Sequence, residues 1–152
     1  MTRVLSPEWI VGFVDGEGYF HIAINKNKTM PHNIQVLLEF TVVQHKADLQ
    51  ILHALKAFWQ CGVVRVNHGN RMCYRVRGQE HLRNIIVPFF EKHKLKTRKR
   101  IAFEKFRKAV LLMEKKEHLT LEGIKKFREL REGMKKPLHS LEKACSFSYS
   151  EE

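Results

Sequence analysis

The sequence predicts an α+β domain in the order αββαββα with helical additions, in which a four-stranded antiparallel sheet is backed on one face by helices. Three observations predict it. Two early stretches place apolar residues at every second position; a helical stripe and a second, shorter pair of alternating segments follow; and the last third of the chain returns to helical spacing. At 152 residues the chain has room for one domain, and burying roughly two-thirds of its unfolded surface holds such a domain without staples. No linker long enough for a second domain is visible. Residues 1–136 are read as the folded domain and 137–152, with Pro137 and a Ser/Glu-rich end, as a flexible tail.

Ser6 can cap a helix, Pro7 falls in its first turn where a missing N–H is harmless, and Glu8 suits the positive end. Trp9-Ile10-Val11-Gly12-Phe13-Val14 is then a short helix that Asp15-Gly16-Glu17-Gly18 ends. It is apolar nearly all round, so it is expected to be buried against its own domain and against something else. From Tyr19 to Asn25, residues Phe20, Ile22 and Ile24 alternate with Tyr19, His21, Ala23 and Asn25, as in a half-buried strand. After a polar stretch, Val36, Leu38, Phe40 and Val42 alternate with Gln35, Leu37, Glu39 and Thr41 in an antiparallel partner that ends near Gln44. Leu49, Leu52 and Leu55, with Phe58 or Trp59, make a helical stripe over 48–59, stopped by Cys61-Gly62. Segments 63–66 and 72–76 pair as a hairpin around His68-Gly69-Asn70. Helices are expected over 80–90, over 97–114 with Ile101, Phe103, Phe106, Val110 and Met113 inward, and from Thr120 to about Gly133.

The chain carries 28 Lys+Arg against 16 Asp+Glu, a formal charge of +12, so its favoured partner is a polyanion, nucleic acid first. A membrane partner is not expected. The sequence has no long helix with its cations on one face, no lipidation signal, no apolar run near the roughly 20 residues that span a bilayer, and no secretory leader. A soluble, intracellular protein is the expectation. Cys61, Cys73 and Cys145 form an odd set without a CxxC pair and are read as free thiols. Cys61, His68, Cys73 and His81 do not follow zinc-finger spacing, and no His-Asn-His constellation appears among the nine histidines.

Asp15-Gly16-Glu17-Gly18 is, on composition alone, an ordinary glycine-rich helix stop, and it lacks the alternating ligands of a calcium loop. Its placement says more: two carboxylates lie directly below an apolar helix in a strongly cationic protein. An ion bridging a protein carboxylate to a DNA phosphate accounts for acids there, and oxygen ligands favour Mg²⁺. One such carboxylate per subunit is too few for hydrolysis. Strand parity puts His21, Asn25, Gln35, Glu39 and Thr41 on the face away from the helices. On the second hairpin Arg65 shares a face with Asn67, and Arg71 with Cys73 and Arg75, while the loop Lys26-Asn27-Lys28 lies beyond. Arg65 and Arg75 can make bidentate contacts to guanine, and Gln35 to adenine. The bland alternative is the wet face of any antiparallel sheet. The run from Lys92 to Arg100 is, for most of its members, a solvated or phosphate-contacting face.

Trp9-Ile10-Val11-Gly12-Phe13-Val14-Asp15-Gly16-Glu17-Gly18 resembles the signature of the LAGLIDADG homing endonucleases, close to the form WLAGFIDGEG. The resemblance runs over about the first 135 residues, through Gln44, the basic segment 95–100, and His118-Leu119-Thr120 with Glu122-Gly123. It is nearest to single-motif enzymes encoded in organellar group I introns, notably those of green-algal chloroplasts. What the resemblance implies is a sheet that forms a DNA-binding saddle and, because the motif occurs once, a homodimer. The target would be a long pseudo-palindromic double-stranded DNA site, cut across the minor groove to leave 3′ overhangs. The cofactor would be Mg²⁺, with Mn²⁺ as a substitute, and the home compartment the chloroplast, with the mitochondrion as alternative. Carried over by position, Glu17 is the catalytic, metal-binding acid, the Gly16 carbonyl a further metal ligand, and Asp15 a support for the helix end. Gln44 orients water or phosphate, and the cation that stabilises the transition state is Lys99, Arg98 or Lys96, in that order. Trp9, Gly12, Phe13 and Asp15 form the dimer interface, where Gly12 lets two backbones approach; Val11 stands where a small residue is usual. Two rival readings keep the fold without the cleavage: an intron maturase, whose partner is intron RNA, and a catalytically silent DNA-binding regulator. The retained Glu17 and Gln44 favour cleavage.

Overall fold

The computed structural model describes residues 4–145, with side chains through Lys135. Helix α1 (Pro7–Glu17) passes directly into strand β1 (Gly18–Lys26), which pairs antiparallel with β2 (Ile34–His45). Helix α2 (Leu49–Trp59), the hairpin β3 (Val63–His68) and β4 (Arg71–Val76), a helical stretch α3 (79–92), α4 (Lys99–Glu114) and α5 (Leu121–Cys145) follow. The strands form one sheet in the order β1-β2-β4-β3, every neighbour antiparallel, so the α+β architecture read from the sequence is the one observed. Among the described residues no helix is long and apolar enough to cross a membrane.

The start of α1 follows its sequence, since Ser6 Oγ accepts the Trp9 N–H at 3.2 Å. Its end does not. Asp15-Gly16-Glu17 stays helical, and the backbone becomes extended only at Gly18, whose N–H still donates to the Val14 carbonyl. A Cβ on Gly18 would lie 2.5 Å from Val14 Cγ1 and 2.9 Å from Val14 O, so only glycine fits where the strand leaves the helix. No loop intervenes, and the orientation of the helix end relative to the sheet is fixed.

One face of the sheet packs on the helices. Phe20, Ile22, Val36, Leu38, Phe40, Val42, Tyr74 and Val76 are buried there with Leu52, Leu55, Trp59, Phe90, Phe103, Phe106 and Phe127. Phe20 is the hub, its ring 5.1 Å from Phe40, 5.7 Å from Phe90, 5.5 Å from Phe103 and 5.2 Å from Phe106. Aromatic pairs in such tilted or edge-on arrangements each add about 0.5–1.5 kcal/mol beyond area burial. The buried Tyr74 hydroxyl donates to the Cys61 carbonyl at 2.9 Å, and burial holds this phenol well above its ordinary pKa, neutral throughout the physiological range. That bond ties β4 to the turn after α2. The turn needs Gly62: its φ of +85° and a virtual Cβ 2.8 Å from the Arg75 carbonyl exclude a side chain.

Three boundaries differ from the sequence expectation. Helix α3 widens into a π turn at Leu82–Ile86 just before Pro88, which cannot donate an N–H and whose ring crowds the preceding turn. Helix α4 begins at Lys99 rather than Thr97, with Arg98 at the N-cap position and Thr97 Oγ1, one residue earlier, accepting the Lys99 N–H at 3.2 Å. Helix α5 does not end near Gly133. A Cβ there would sit 3.1 Å from Lys105 Cε, so this glycine brings α5 close to α4, and the helix runs on past Pro137 to Cys145. Of the stretch read as a flexible tail, residues 137–145 are therefore helical, and 146–152 lie outside the described residues.

Candidate active site and nucleic-acid interface

The end of α1 gathers the acids and one cation. Asp15 is partly buried, and its carboxylate accepts the Lys96 N–H at 2.8 Å, the Thr97 N–H at 3.1 Å and the Thr97 hydroxyl at 2.8 Å. Asp15, expected in the dimer interface, thus faces the 96–97 loop of its own chain. At the first residue of α4, the half-buried Lys99 reaches back so that its Nζ donates to the Gly18 carbonyl at the helix–strand junction. Burial pushes the Lys99 ammonium below its usual pKa, while the carboxylates of Asp15 and Glu17 pull it back toward the charged form. Glu17 itself is exposed, in the last turn of α1, beside the exposed Gly16. Lys99 is brought to this spot; Lys96 and Arg98 are exposed and line a shallow hollow with Arg100 at the mouth of the loop, and Arg98 also borders, with Lys99, a cavity beside Tyr19 and His21.

Gln44 lies inside β2 rather than beyond it, opposite Met72. Its parity is that of the helix-packed face, two residues past Val42, which pairs with Gly18. The half-buried Gln44 amide is therefore carried past the core toward the end of the sheet where α1 enters. No group of three His, Cys, Asp or Glu residues able to hold a metal occurs among the described residues. Among the described residues, the oxygen donors at this helix end that fit a hard cation are the exposed Glu17 carboxylate and the adjoining Gly16 carbonyl.

The sheet face away from the helices carries the predicted readers in rows. His21 lies opposite Glu39, Asn25 opposite Gln35, and Thr41 between Tyr19 and Arg75. Arg65 stands opposite Cys73, and Arg71 opposite both His45 and His68. A bulge between Val66 and His68 takes Asn67 out of register, so His68 occupies the paired position; Asn67 still borders a hollow with Glu39, Arg65, Cys73 and Arg75. Thr41 and Cys73 belong to this face but are only 8% and 5% exposed, so neighbouring side chains cover them. Burial also pushes the Cys73 thiol up, with Glu39 adding to it, despite Arg75, Arg65 and Arg77 nearby. In the 26–33 loop the Asn27 side chain donates to Gln35 Oε1 at 3.2 Å and accepts from Thr29, so the loop bearing exposed Lys26 and Lys28 is shaped before any ligand arrives.

Two residues of this face were not singled out from the sequence. Arg77 continues the parity of Arg71, Cys73 and Arg75 one step past β4, and its Nε donates to Glu39 at 2.6 Å, so Glu39 is ion-paired within the chain. Tyr19 is 57% exposed, its ring 5.4 Å from the His21 ring and stacked on it. Continuing the alternation to both strand ends would have found both.

The outward side of α1 is bare. Trp9 is 42% exposed and its ring stacks on Phe13 at 4.8 Å. A Cβ on Gly12 or Gly16 would meet nothing within 4 Å. Positions 9, 12, 13 and 16 share one face of the helix, whereas Val11 is buried in the chain's own core, away from that face.

A profile described as LAGLIDADG endonuclease matches residues 10–110. Among solved structures, the homing endonuclease I-TnaI is 46% identical, with a TM-score of 0.81, over 91% of this chain and 99% of its own. The I-SmaMI LAGLIDADG homing endonuclease bound to cleaved DNA is 36% identical, with a TM-score of 0.82, over 85% of this chain but 43% of its own. A probable intron-encoded endonuclease 2 of Neurospora crassa is 31% identical over 85% of this chain, which spans 27% of that relative's length.

Proposed function

Because this chain belongs to the LAGLIDADG endonuclease family, we propose that it is a homing endonuclease that cuts both strands of a long, pseudo-palindromic DNA site as a homodimer, and that it is encoded in an organellar intron. The observation that carries this reading is the pairing of Glu17, exposed at the last turn of α1, with Lys99, folded back onto the Gly18 carbonyl at the same junction. A nuclease needs an oxygen ligand for an ion and a fixed positive charge within reach of one phosphate. A DNA-binding regulator needs neither.

Glu17 and the Gly16 carbonyl would hold Mg²⁺, or Mn²⁺ in its place, which would supply charge neutralisation and an acidified water. The chain's own residues do the rest. Lys99 offers its ammonium to the negative charge that builds on the phosphate, and being already anchored, it needs little reorganisation at the moment of reaction. Gln44 orients water or phosphate at the sheet end, and Lys96 and Arg98 hold the DNA backbone beside it. Each chain supplies one such acid, so cutting two strands calls for two copies. The bare face of α1, with Gly12 and Gly16 open to a second backbone, supports this, as does the near-complete coverage of one solved homing endonuclease chain against less than half of another.

Recognition falls to the open sheet face. Arg65, Arg71, Arg75 and Arg77 present guanidinium groups suited to guanine edges or phosphates, and His21, Asn25 and Gln35 read further along the groove. A two-fold dimer would read two half-sites with equivalent strands. The intron-encoded relatives support an intron origin, in chloroplast or mitochondrion.

The test is cleavage of a randomised or intron-homing-site DNA library with Mg²⁺, comparing wild type with Glu17→Gln and with EDTA. The expected result is double-strand cuts at one long pseudo-palindrome, lost with the chelator and in the variant while DNA affinity persists. Tight DNA or intron RNA binding without any cut would replace this reading with a regulator or a maturase.

A further inference from the structure

We infer that Asp15 is a positioning residue: by fixing the backbone of Lys96 and Thr97 it delivers Lys99 to the Glu17 end of α1, an inference that rests on the nuclease reading above. The contacts form a closed circuit. The Asp15 carboxylate accepts the Lys96 N–H at 2.8 Å with one oxygen, and the Thr97 N–H at 3.1 Å and hydroxyl at 2.8 Å with the other. Thr97 Oγ1 in turn accepts the Lys99 N–H at 3.2 Å, which ties the first residue of α4 to the anchored loop. From that first residue the Lys99 side chain returns to the Gly18 carbonyl, three positions along from Asp15.

Each link has a physical reason. Residues 93–98 join two helices without regular structure of their own, and the first N–H groups of α4 have no partner within the helix. A lysine side chain has four rotatable bonds, so its ammonium is placed only if its Cα is placed first. A carboxylate with two acceptor oxygens against two backbone N–H groups and a hydroxyl is directional. An exposed neutralising charge for the nearby cations would not need that geometry. Asparagine cannot replace it, because its amide nitrogen would face a donor. Asp15 is thus turned into its own chain, although it sits on the helix whose other side is open to a partner. One short helix carries the acid at 17, the loop anchor at 15 and the bare face at 9, 12, 13 and 16.

The experiment is single-turnover cleavage, with Mg²⁺, of a cut DNA recovered from the randomised library. The full chain is compared with Asp15→Asn, Thr97→Val, Lys99→Met and the double variant Asp15→Asn/Lys99→Met, with DNA affinity measured separately in EDTA. Asp15→Asn is expected to slow cutting about 100-fold, the effect of displacing a catalytic group by about 1 Å, with DNA affinity unchanged. Thr97→Val, which loses the hydroxyl to Asp15 and the cap on Lys99, is expected to slow it roughly tenfold. The deciding readout is non-additivity: Asp15→Asn should slow Lys99→Met no further. Losses that multiply, wild-type cutting by Asp15→Asn while Lys99→Met is crippled, or a loss that is entirely weaker DNA binding would each overturn the assignment. If Asp15→Asn does not fold, Thr97→Val in the Lys99→Met background gives the same test. A wild-type chain that cuts no DNA removes the nuclease reading itself, a distinct failure.

Discussion

Asp15 and Glu17 are two positions apart on one helix and have opposite surroundings. The first is partly buried and accepts hydrogen bonds from Lys96 and Thr97; the second is exposed. Sequence alone marks both as acids under an apolar helix, but which one is committed to its own chain depends on a loop some eighty residues away. The cation is a similar case. Lys96, Arg98 and Lys99 are neighbouring cations in the sequence, and moving a helix start by one residue swings every side chain by about 100°, so the bond from the Lys99 N–H to Thr97 Oγ1 helps set where the Lys99 side chain emerges. At Gly18 the steric argument gives a stability prediction. Gly18→Ala puts a methyl group 2.5 Å from Val14 Cγ1 and 2.9 Å from a carbonyl that cannot move, so a loss of about 1–3 kcal/mol is expected in denaturant unfolding. Unaltered stability would mean that the junction is looser than described. Tyr74→Phe keeps the ring stacking and leaves the Cys61 carbonyl without its donor, for an expected loss of about 1 kcal/mol by the same measurement.

Helix α1 shows most clearly how an element can be predicted in kind and misjudged at its edge. Its cap, its proline and its apolar run are local signals and locate its start. Its end is set by Gly18 packing under Val14, a contact that propensity cannot anticipate. The same holds for α5, where Gly133 reads as a stop and is instead a close approach to Lys105. The open face of α1 yields a prediction of two opposed signs. Because a Cβ on Gly12 meets nothing in its own chain, Gly12→Ala should stabilise the isolated subunit by about 0.5–1 kcal/mol through the lower backbone entropy of alanine in a helix. It should also weaken dimerisation, and cutting with it, by holding two backbones apart. Sedimentation velocity over a concentration series checks this; unchanged self-association with raised stability would place the subunit contact elsewhere.

For the molecule as a whole, a charge of +12 and a bare sheet face on which Arg65, Arg71, Arg75 and Arg77 cluster predict DNA binding that weakens steeply with salt. Affinity is expected to fall on the order of 10³-fold or more between about 50 and 200 mM salt. Alanine at an arginine that touches phosphate should lower the slope by about one unit for every target, whereas alanine at one that reads a base should cost about 1–3 kcal/mol at a single position of the site. Filter-binding titrations against matched and substituted targets separate the two, and a flat salt response would exclude the sheet face as the DNA surface. The sequence by itself determined the order of elements, the inward and outward faces of β1 and β2, the sign of the partner and the motif that holds Glu17. These follow from period-two and helical spacing, caps and charge, all of which act within a few residues along the chain. Long-range packing alone brings Lys99 to the junction, turns Asp15 to the 96–97 loop, ties Glu39 to Arg77 and covers Thr41 and Cys73. Each of these depends on residues brought together across tens of positions, where packing and the satisfaction of buried polar groups set the geometry and no local pattern records it.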